Sequence, residues 1–404
     1  MSLNRREFLI AAASLPISRS LLDSQRAQSR LYYPSKTPID PWLEIDLDSI
    51  AWNLKAIQKI VYPRPVMAIV KANGYGHGVV EISKFLEKQN IKFLAVGKFE
   101  EACRVREAGV RVNILNLGPF SDQEANRLIR DRISQSVYTD SVKVLSESSV
   151  KIGKSAGVHI NIDTGLGRVG VPYYKAVRFI KYVASLQGVK IEGVFTVLTE
   201  EKNFDRIQLQ RFTDVCRKAE KMGISVGLKH AASSAGILSF PESYLDMVRP
   251  GITIYGHYPS MEEYRKKRVK LKPAMSLKTR VIYLKRLRKG DSVSYHRKFQ
   301  PAKETLVATL PIGYSDGYPA NIAGKGEAII RGIRHPIVAI TANHTVLDVG
   351  HHKDIRIGDE AVLIGRQIGN EIRTEEVAEW AGTSVYKIVI GMNPLLPRKY
   401  TTKK

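Results

Sequence analysis

The sequence predicts an α/β fold: a (β/α)8 TIM-type barrel followed by a mostly antiparallel β domain. From about residue 66, short apolar runs alternate with amphipathic stretches, eight times in roughly 190 residues. After Tyr255 the pattern changes to short runs of alternating polarity separated by glycine turns. A chain of 404 residues also exceeds one ordinary core and suggests about two domains. No dinucleotide fingerprint supports the competing open doubly wound sheet.

Taken in order, a strand over 42–48 precedes the barrel and is expected to join the later β domain. Barrel strands are expected at 66–70, 92–96, 113–117, 134–137, 158–162, 191–196, 228–230 and 246–248. Helical patterns such as 100–108, 173–185 and 204–222 lie between them. The second domain should hold strands at 275–287, 291–295, 305–310, 327–330, 333–340, 346–349 and 360–364, with one helix near 374–381. Turns such as Lys289-Gly290-Asp291 and Ile357-Gly358-Asp359 separate them. The expected division is a leader over 1–40, a barrel over 41–270 and a β domain over 271–404.

Hydrophobic content of 44% and charged content of 25% describe a globular protein. No apolar run reaches the roughly 18 residues of a transmembrane helix. The formal charge of +24 raises nucleic-acid binding, but the basic residues are spread along the chain and no zinc-finger or RNA-binding signature accompanies them. Nucleic acid is therefore not an expected partner. Asn4-Arg5-Arg6-Glu7-Phe8-Leu9-Ile10, followed by a weakly apolar segment, resembles a twin-arginine export signal. It predicts an exported, periplasmic protein cleaved near Ala27; an amphipathic N-terminal helix on a cytoplasmic protein is the alternative. Cys103 and Cys216 form no CxxC or metal pattern and read as buried thiols. No metal site is expected, and His351-His352 reads as an exposed turn pair.

A barrel places its chemistry at the carboxyl ends of its strands. Lys71 follows the first strand and opens the run Lys71-Ala72-Asn73-Gly74-Tyr75-Gly76-His77-Gly78. A lysine partly desolvated there can have its pKa depressed enough to form an imine. The glycines let backbone approach an anion, and Tyr75 can add a hydroxyl donor. Asp163-Thr164-Gly165-Leu166-Gly167-Arg168 follows the fifth strand, His230-Ala231-Ala232-Ser233-Ser234-Ala235-Gly236 the seventh, and Arg249-Pro250-Gly251-Ile252 the eighth. The last two loops are where barrels build phosphate sites. Together the four motifs point to a phosphate-bearing cofactor. His77 and His230 read as structural hydrogen-bonders within them.

The strings LEIDLDSIAWNL, AIVKANGYGHG, IDTGLGRVG, KHAASSAG, MVRPGITIYG, SVSY and LPIGYSDGYP, in order from Glu44 towards Tyr400, resemble alanine racemases, the fold-type III pyridoxal-phosphate enzymes. The resemblance implies a pyridoxal 5'-phosphate barrel, a β domain and a head-to-tail homodimer acting on an amino acid. It implies that Lys71 carries the cofactor and is one proton-transfer base, with Tyr295 the opposite-face base supplied by a partner subunit. Arg249 matches the arginine facing the pyridine nitrogen and Arg168 the one near the cofactor phenolate, within reach of substrate. Tyr75, Ser234, Gly251, Ile252 and Tyr386 match phosphate ligands. Tyr314 matches a tyrosine at the substrate entrance, and Ala342 and Asn343 fall in the substrate-pocket segment. The implied activity is racemisation of L- and D-alanine, or of other amino acids. A low-turnover cofactor-binding protein and another fold-type III enzyme acting on D-amino acids are the alternatives.

The chain also departs from that pattern. Val197 stands where the family has a histidine after its sixth strand, removing a polar contact to the tyrosine base. Asn161 replaces a lysine often carbamylated, which leaves Arg168 to be held through another contact, such as an anion. Ala342 in place of methionine predicts a wider pocket, and Asn343 resembles the exported broad-spectrum racemases.

Overall fold

The computed structural model describes residues 39–352 and 354–402; the twin-arginine segment lies outside them. Seven parallel strands follow one another in the order Met67–Ile69, Phe93–Val96, Asn113–Asn116, Ile133–Val137, Ala156–Asp163, Val189–Phe195 and Leu228–His230. The two-residue strand Val171–Pro172 adds to the edge of Ala156–Asp163. The eighth position is not a full strand. Val66 and Val248 form a single parallel bridge, and the Met67 and Ile69 amides donate to the Val248 and Pro250 carbonyls. On the other side the Asp246 amide donates to the Lys229 carbonyl, so the ring closes. Leu245 at φ 50° before this segment and Pro250, with no N–H, after it limit regular pairing.

The helices between the strands form because their apolar residues share one face. Tyr173–Ser185 buries Ala176, Ile180 and Val183 at helical spacing against the sheet. Lys202–Lys221 is capped by the Glu201 carboxylate on the Asn203 and Phe204 amides. It buries Phe212, Val215, Cys216 and Ala219, and also two polar residues, Asp205 and Gln208.

The second sheet is mostly antiparallel. Trp42–Asp46 lies in it, antiparallel to Met275–Arg280 and parallel to the last strand, Arg398–Thr401. The run expected as one strand over 275–287 is two. Met275–Arg280 pairs with Glu360–Gln367, and Tyr283–Leu287 pairs with Thr305–Leu310. Between them the Val281 and Ile282 amides change partners, to the Asp359 and Thr309 carbonyls. The strand expected at 291–295 is absent. Ser294, His296 and Arg297 hold positive φ, only Val293 bridges to Phe299, and Tyr295–Arg297 is a single 3-10 turn. Two helices, Thr374–Trp380 and Val385–Gly391, stand where one was expected. Among the described residues no helix is long and apolar enough to cross a membrane.

Candidate active site

The first barrel strand delivers Lys71 into a turn with an unusual backbone. Ala72, Asn73, Gly74, Tyr75 and Gly76 hold successive φ values of 53°, 55°, 62°, 50° and 81°. Left-handed residues normally occur singly, at about 1–2 kcal/mol each for residues with a Cβ. This turn is therefore strained and must be held by its surroundings. The Glu101 carboxylate accepts from the Asn73 amide at 2.8 Å and, through its other oxygen, from the Gly97 amide at 3.0 Å. Asn73 Oδ1 accepts from the Val79 amide. His77 Nδ1 lies 2.8 Å from the Tyr75 carbonyl and 3.1 Å from that of Gly74. The β domain closes on the same turn: Arg398 donates to the Gly76 carbonyl at 2.8 Å and Tyr400 to the His77 carbonyl at 2.9 Å. Gly76 is required there, since a Cβ would lie 2.0 Å from the Val389 carbonyl oxygen.

Burial holds the Lys71 ammonium below the ordinary lysine range, helped by the charges of Arg168 and Arg249 and opposed by Glu101. Arg168 itself is exposed and makes no hydrogen bond among the described residues. Its loop is fixed instead at Asp163, whose Oδ1 accepts from the Gly165 and Gly167 amides. Asn161 donates to the Val169 carbonyl.

Arg249 is buried and surrounded by acceptors. It donates to the carbonyls of His230 at 2.6 Å, Thr196 at 2.8 Å and Ala231 at 3.1 Å, and to His230 Nδ1 at 2.8 Å. Burial brings its guanidinium down to about 9, still charged at neutral pH. Phe195 stacks on the His230 ring and lies beside the guanidinium.

The two last loops meet at Ser234, whose hydroxyl accepts from the Gly251 amide at 2.9 Å and lies 3.0 Å from that of Thr253. The Ile252 amide donates to no carbonyl among the described residues. The phenols of Tyr75 and Tyr386, with ring centroids 6.1 Å apart, likewise have no hydrogen-bond partner there. The Tyr75 hydroxyl stands beside Gly251, where a Cβ would approach it to 2.5 Å. Burial pushes both phenols far above the ordinary tyrosine range, so both stay protonated donors.

The structure thus brings Lys71, Tyr75, Ser234, Arg249, Gly251, Ile252 and Tyr386 to one end of the barrel, with Arg168 near enough to act on Lys71 electrostatically. It does not bring Tyr295, Tyr314, Ala342 or Asn343 to them within one chain. Tyr295 is 77% exposed on its turn and Tyr314 56% exposed. Tyr314, Ala342 and Asn343 form a separate cluster around Ser315, which donates to the Ala342 carbonyl and accepts from the Asn343 amide.

Sequence reasoning missed Glu101, His159, Thr196 and Gln208. Gln208 donates to the Thr164 hydroxyl at 3.1 Å and the Val197 carbonyl at 3.2 Å, tying two strand ends together. A polar residue on the apolar stripe of Lys202–Lys221 was the available signal.

Residues 45–259 match the alanine racemase N-terminal domain and residues 274–400 the alanine racemase C-terminal domain. The chain is 39% identical to an alanine racemase of Desulforamulus reducens over 90% of this chain and 99% of that one. It is 40% identical to one of Clostridium perfringens over 89% and 95%. A solved alanine racemase of Clostridium difficile superposes with a TM-score of 0.86 at 31% identity, covering 91% of this chain and 97% of that one. The chain belongs to the alanine racemase family, whose members use pyridoxal 5'-phosphate.

Proposed function

We propose that the protein racemises alanine with pyridoxal 5'-phosphate, using Lys71 as one base and Tyr295 of a second copy as the other. The observation that carries the reading is Lys71, depressed in pKa, at the same barrel end as a set of donors without acceptors among the described residues. The residues suit a phosphorylated aromatic cofactor on structural grounds. The phenols of Tyr75 and Tyr386 and the Ile252 amide lack acceptors among the described residues, Ser234 and Gly251 stand beside them, and Gly251 leaves no room for a side chain. When bound, the cofactor supplies an electrophilic carbonyl and a ring that delocalises the charge left by a departing α-proton.

Lys71 would hold the cofactor and, with its lowered pKa, has a larger neutral fraction near pH 7 than a free lysine, so it can accept a proton on one face. Arg249, pinned by three carbonyls and an imidazole, would donate to the ring nitrogen without releasing a proton. Racemisation needs a second group on the opposite face. The exposure of Tyr295 and Tyr314 supports a head-to-tail homodimer in which each site borrows them, with Ala342 and Asn343, for the substrate side. We take the twin-arginine segment as an export signal and the periplasm as the site of action; fractionation of cells producing the full chain tests it.

The racemase reading is tested by mixing inactive Lys71→Ala with inactive Tyr295→Phe and allowing subunits to exchange. Each heterodimer holds one intact Lys71–Tyr295 pair, and statistical exchange should restore about a quarter of parent alanine racemisation. A mixture that stays inactive while native mass spectrometry shows heterodimers refutes the borrowed base. A protein that gains no visible absorbance with pyridoxal 5'-phosphate refutes the cofactor.

A further inference from the structure

At the opposite, amino-terminal end of the barrel lies a cavity of about 350 Å³, walled by Met67, Ile114, Ile191 and Leu228. Asn113, Ser134, Lys190 and Ser225 also line it, together with His159 and Glu192, and the last two are placed there by irregular features of the strands. The pairing of Ala156–Asp163 with Val189–Phe195 skips Glu192: Val158 sits opposite Ile191 and His159 opposite Gly193. Such a bulge redirects a side chain, and the Glu192 carboxylate lies over Gly157, where a Cβ would approach it to 2.4 Å. Gly193 clears room for His159 in the same way, a Cβ there falling 2.5 Å from its Nδ1. Ser134 donates to Glu192 at 2.6 Å, leaving the carboxylate further acceptor capacity.

His159 is 4% exposed, and its proton can be located. Arginine only donates, so His230 Nδ1 accepts from Arg249 and the proton of His230 sits on Nε2. That Nε2 donates to His159 Nδ1 at 2.9 Å, which puts the proton of His159 on its own Nε2. This N–H has no acceptor among the described residues. Burial keeps both imidazoles neutral, His159 being pulled down to about 3, so the donor direction holds across the working pH range. An imidazole N–H lining the cavity without a protein acceptor among the described residues, a redirected carboxylate and an apolar wall together describe a site for a molecule carrying an acceptor, a cation and an aliphatic part.

We propose that the cavity binds a small zwitterionic amino acid, its carboxylate on the His159 Nε2–H, its ammonium on Glu192 and its side chain against the apolar wall. The site is linked to Arg249 by two consecutive hydrogen bonds through His159 and His230. A carboxylate at the far end polarises that chain and strengthens the hold on the arginine. The proposal rests on these residues and not on the racemase reading.

Titration calorimetry of the full chain with L-proline tests it, and Glu192→Gln separates this site from the cofactor end of the barrel. Saturable one-to-one binding is expected, with or without pyridoxal 5'-phosphate. Glu192→Gln keeps an oxygen for Ser134 but loses the charge, and should weaken binding at least tenfold. Imidazole ¹⁵N resonances of His230 should move on binding, although proline does not touch that ring. Absence of saturable binding overturns the site, as does equal affinity in Glu192→Gln. Binding that leaves His230 unmoved overturns the link to Arg249.

Discussion

Replacing Glu101 by glutamine should loosen the turn that carries Lys71. The carboxylate holds two amides at 2.8 and 3.0 Å, one on each loop bracketing the lysine. Glutamine has one acceptor oxygen, so one N–H loses its partner or faces the side-chain NH2. A hydrogen bond to a charged group contributes about 1.5–3 kcal/mol, and Glu101→Gln should cost about that. The loss falls on a segment already strained. Ala72, Asn73 and Tyr75, each left-handed, together cost about 3–6 kcal/mol by the same scale used above. The change should therefore appear first as local opening. Amide exchange across 72–78 should accelerate at least tenfold, with cofactor affinity falling in step.

An electrostatic consequence accompanies the mechanical one. Glu101 raises the Lys71 pKa against burial and the two arginines, so removing its charge should lower that pKa further. The pH dependence of the rate at which pyridoxal 5'-phosphate couples to the apoprotein follows the neutral fraction of the Lys71 amine and reads this, and Glu100→Gln, on the exposed neighbour, serves as control. Unchanged exchange protection across 72–78, with an unfolding free energy within about 0.5 kcal/mol of the parent, would refute the assignment.

Gly251→Ala should lower affinity for pyridoxal 5'-phosphate more than tenfold while leaving the far-ultraviolet spectrum unchanged, since the added carbon meets the Tyr75 hydroxyl; equilibrium dialysis measures it. Val197→His should speed L-to-D racemisation by roughly ten- to a hundredfold, the effect of one orienting hydrogen bond; an unchanged rate in chiral chromatography means that another residue orients the tyrosine. Acid should destabilise the fold. Buried His77, His159 and His257 titrate near about 3 in the folded state against about 6.5 unfolded, so the unfolded state binds more protons between those values and stability falls as pH drops below 6.5. From pH 7 to 5 each contributes a loss of about 2 kcal/mol, which urea titrations at the two pH values will show.

Much of the barrel was readable because its strands are short apolar runs with one environment each. The strand Leu228–His230 and the helix Tyr173–Ser185 fall at their expected bounds. The β domain was harder where one run serves two partners. Residues 275–280 alternate, but the apolar run Val281-Ile282-Tyr283-Leu284 breaks the alternation where the chain crosses between strands, and that lapse alone does not announce a change of partner. Val385–Gly391 is short and rich in β-branched residues, so nothing in its pattern announces a helix. Position at a strand end was enough to single out Lys71, Ser234, Arg249 and Gly251. It could not single out Glu101 or His159, which matter through the loop or ring they happen to touch.

The β domain belongs to the lysine's environment even within one chain. A left-handed run containing alanine, asparagine and tyrosine cannot persist on local interactions, because each residue would relax to a right-handed or extended conformation. Glu101 fixes the turn from the barrel side. Arg398 and Tyr400 fix it from the other, on the final strand of the chain, which is parallel to Trp42–Asp46. Trp42–Asp46 in turn runs directly into the helix Leu47–Val61, which packs Ile50, Leu54 and Ile57 into the core. The conformation that presents Lys71 is thus set by contacts between residues more than 320 positions apart. Shortening the chain before Arg398 would remove two of the bonds restraining the turn while sparing every residue assigned to the cofactor.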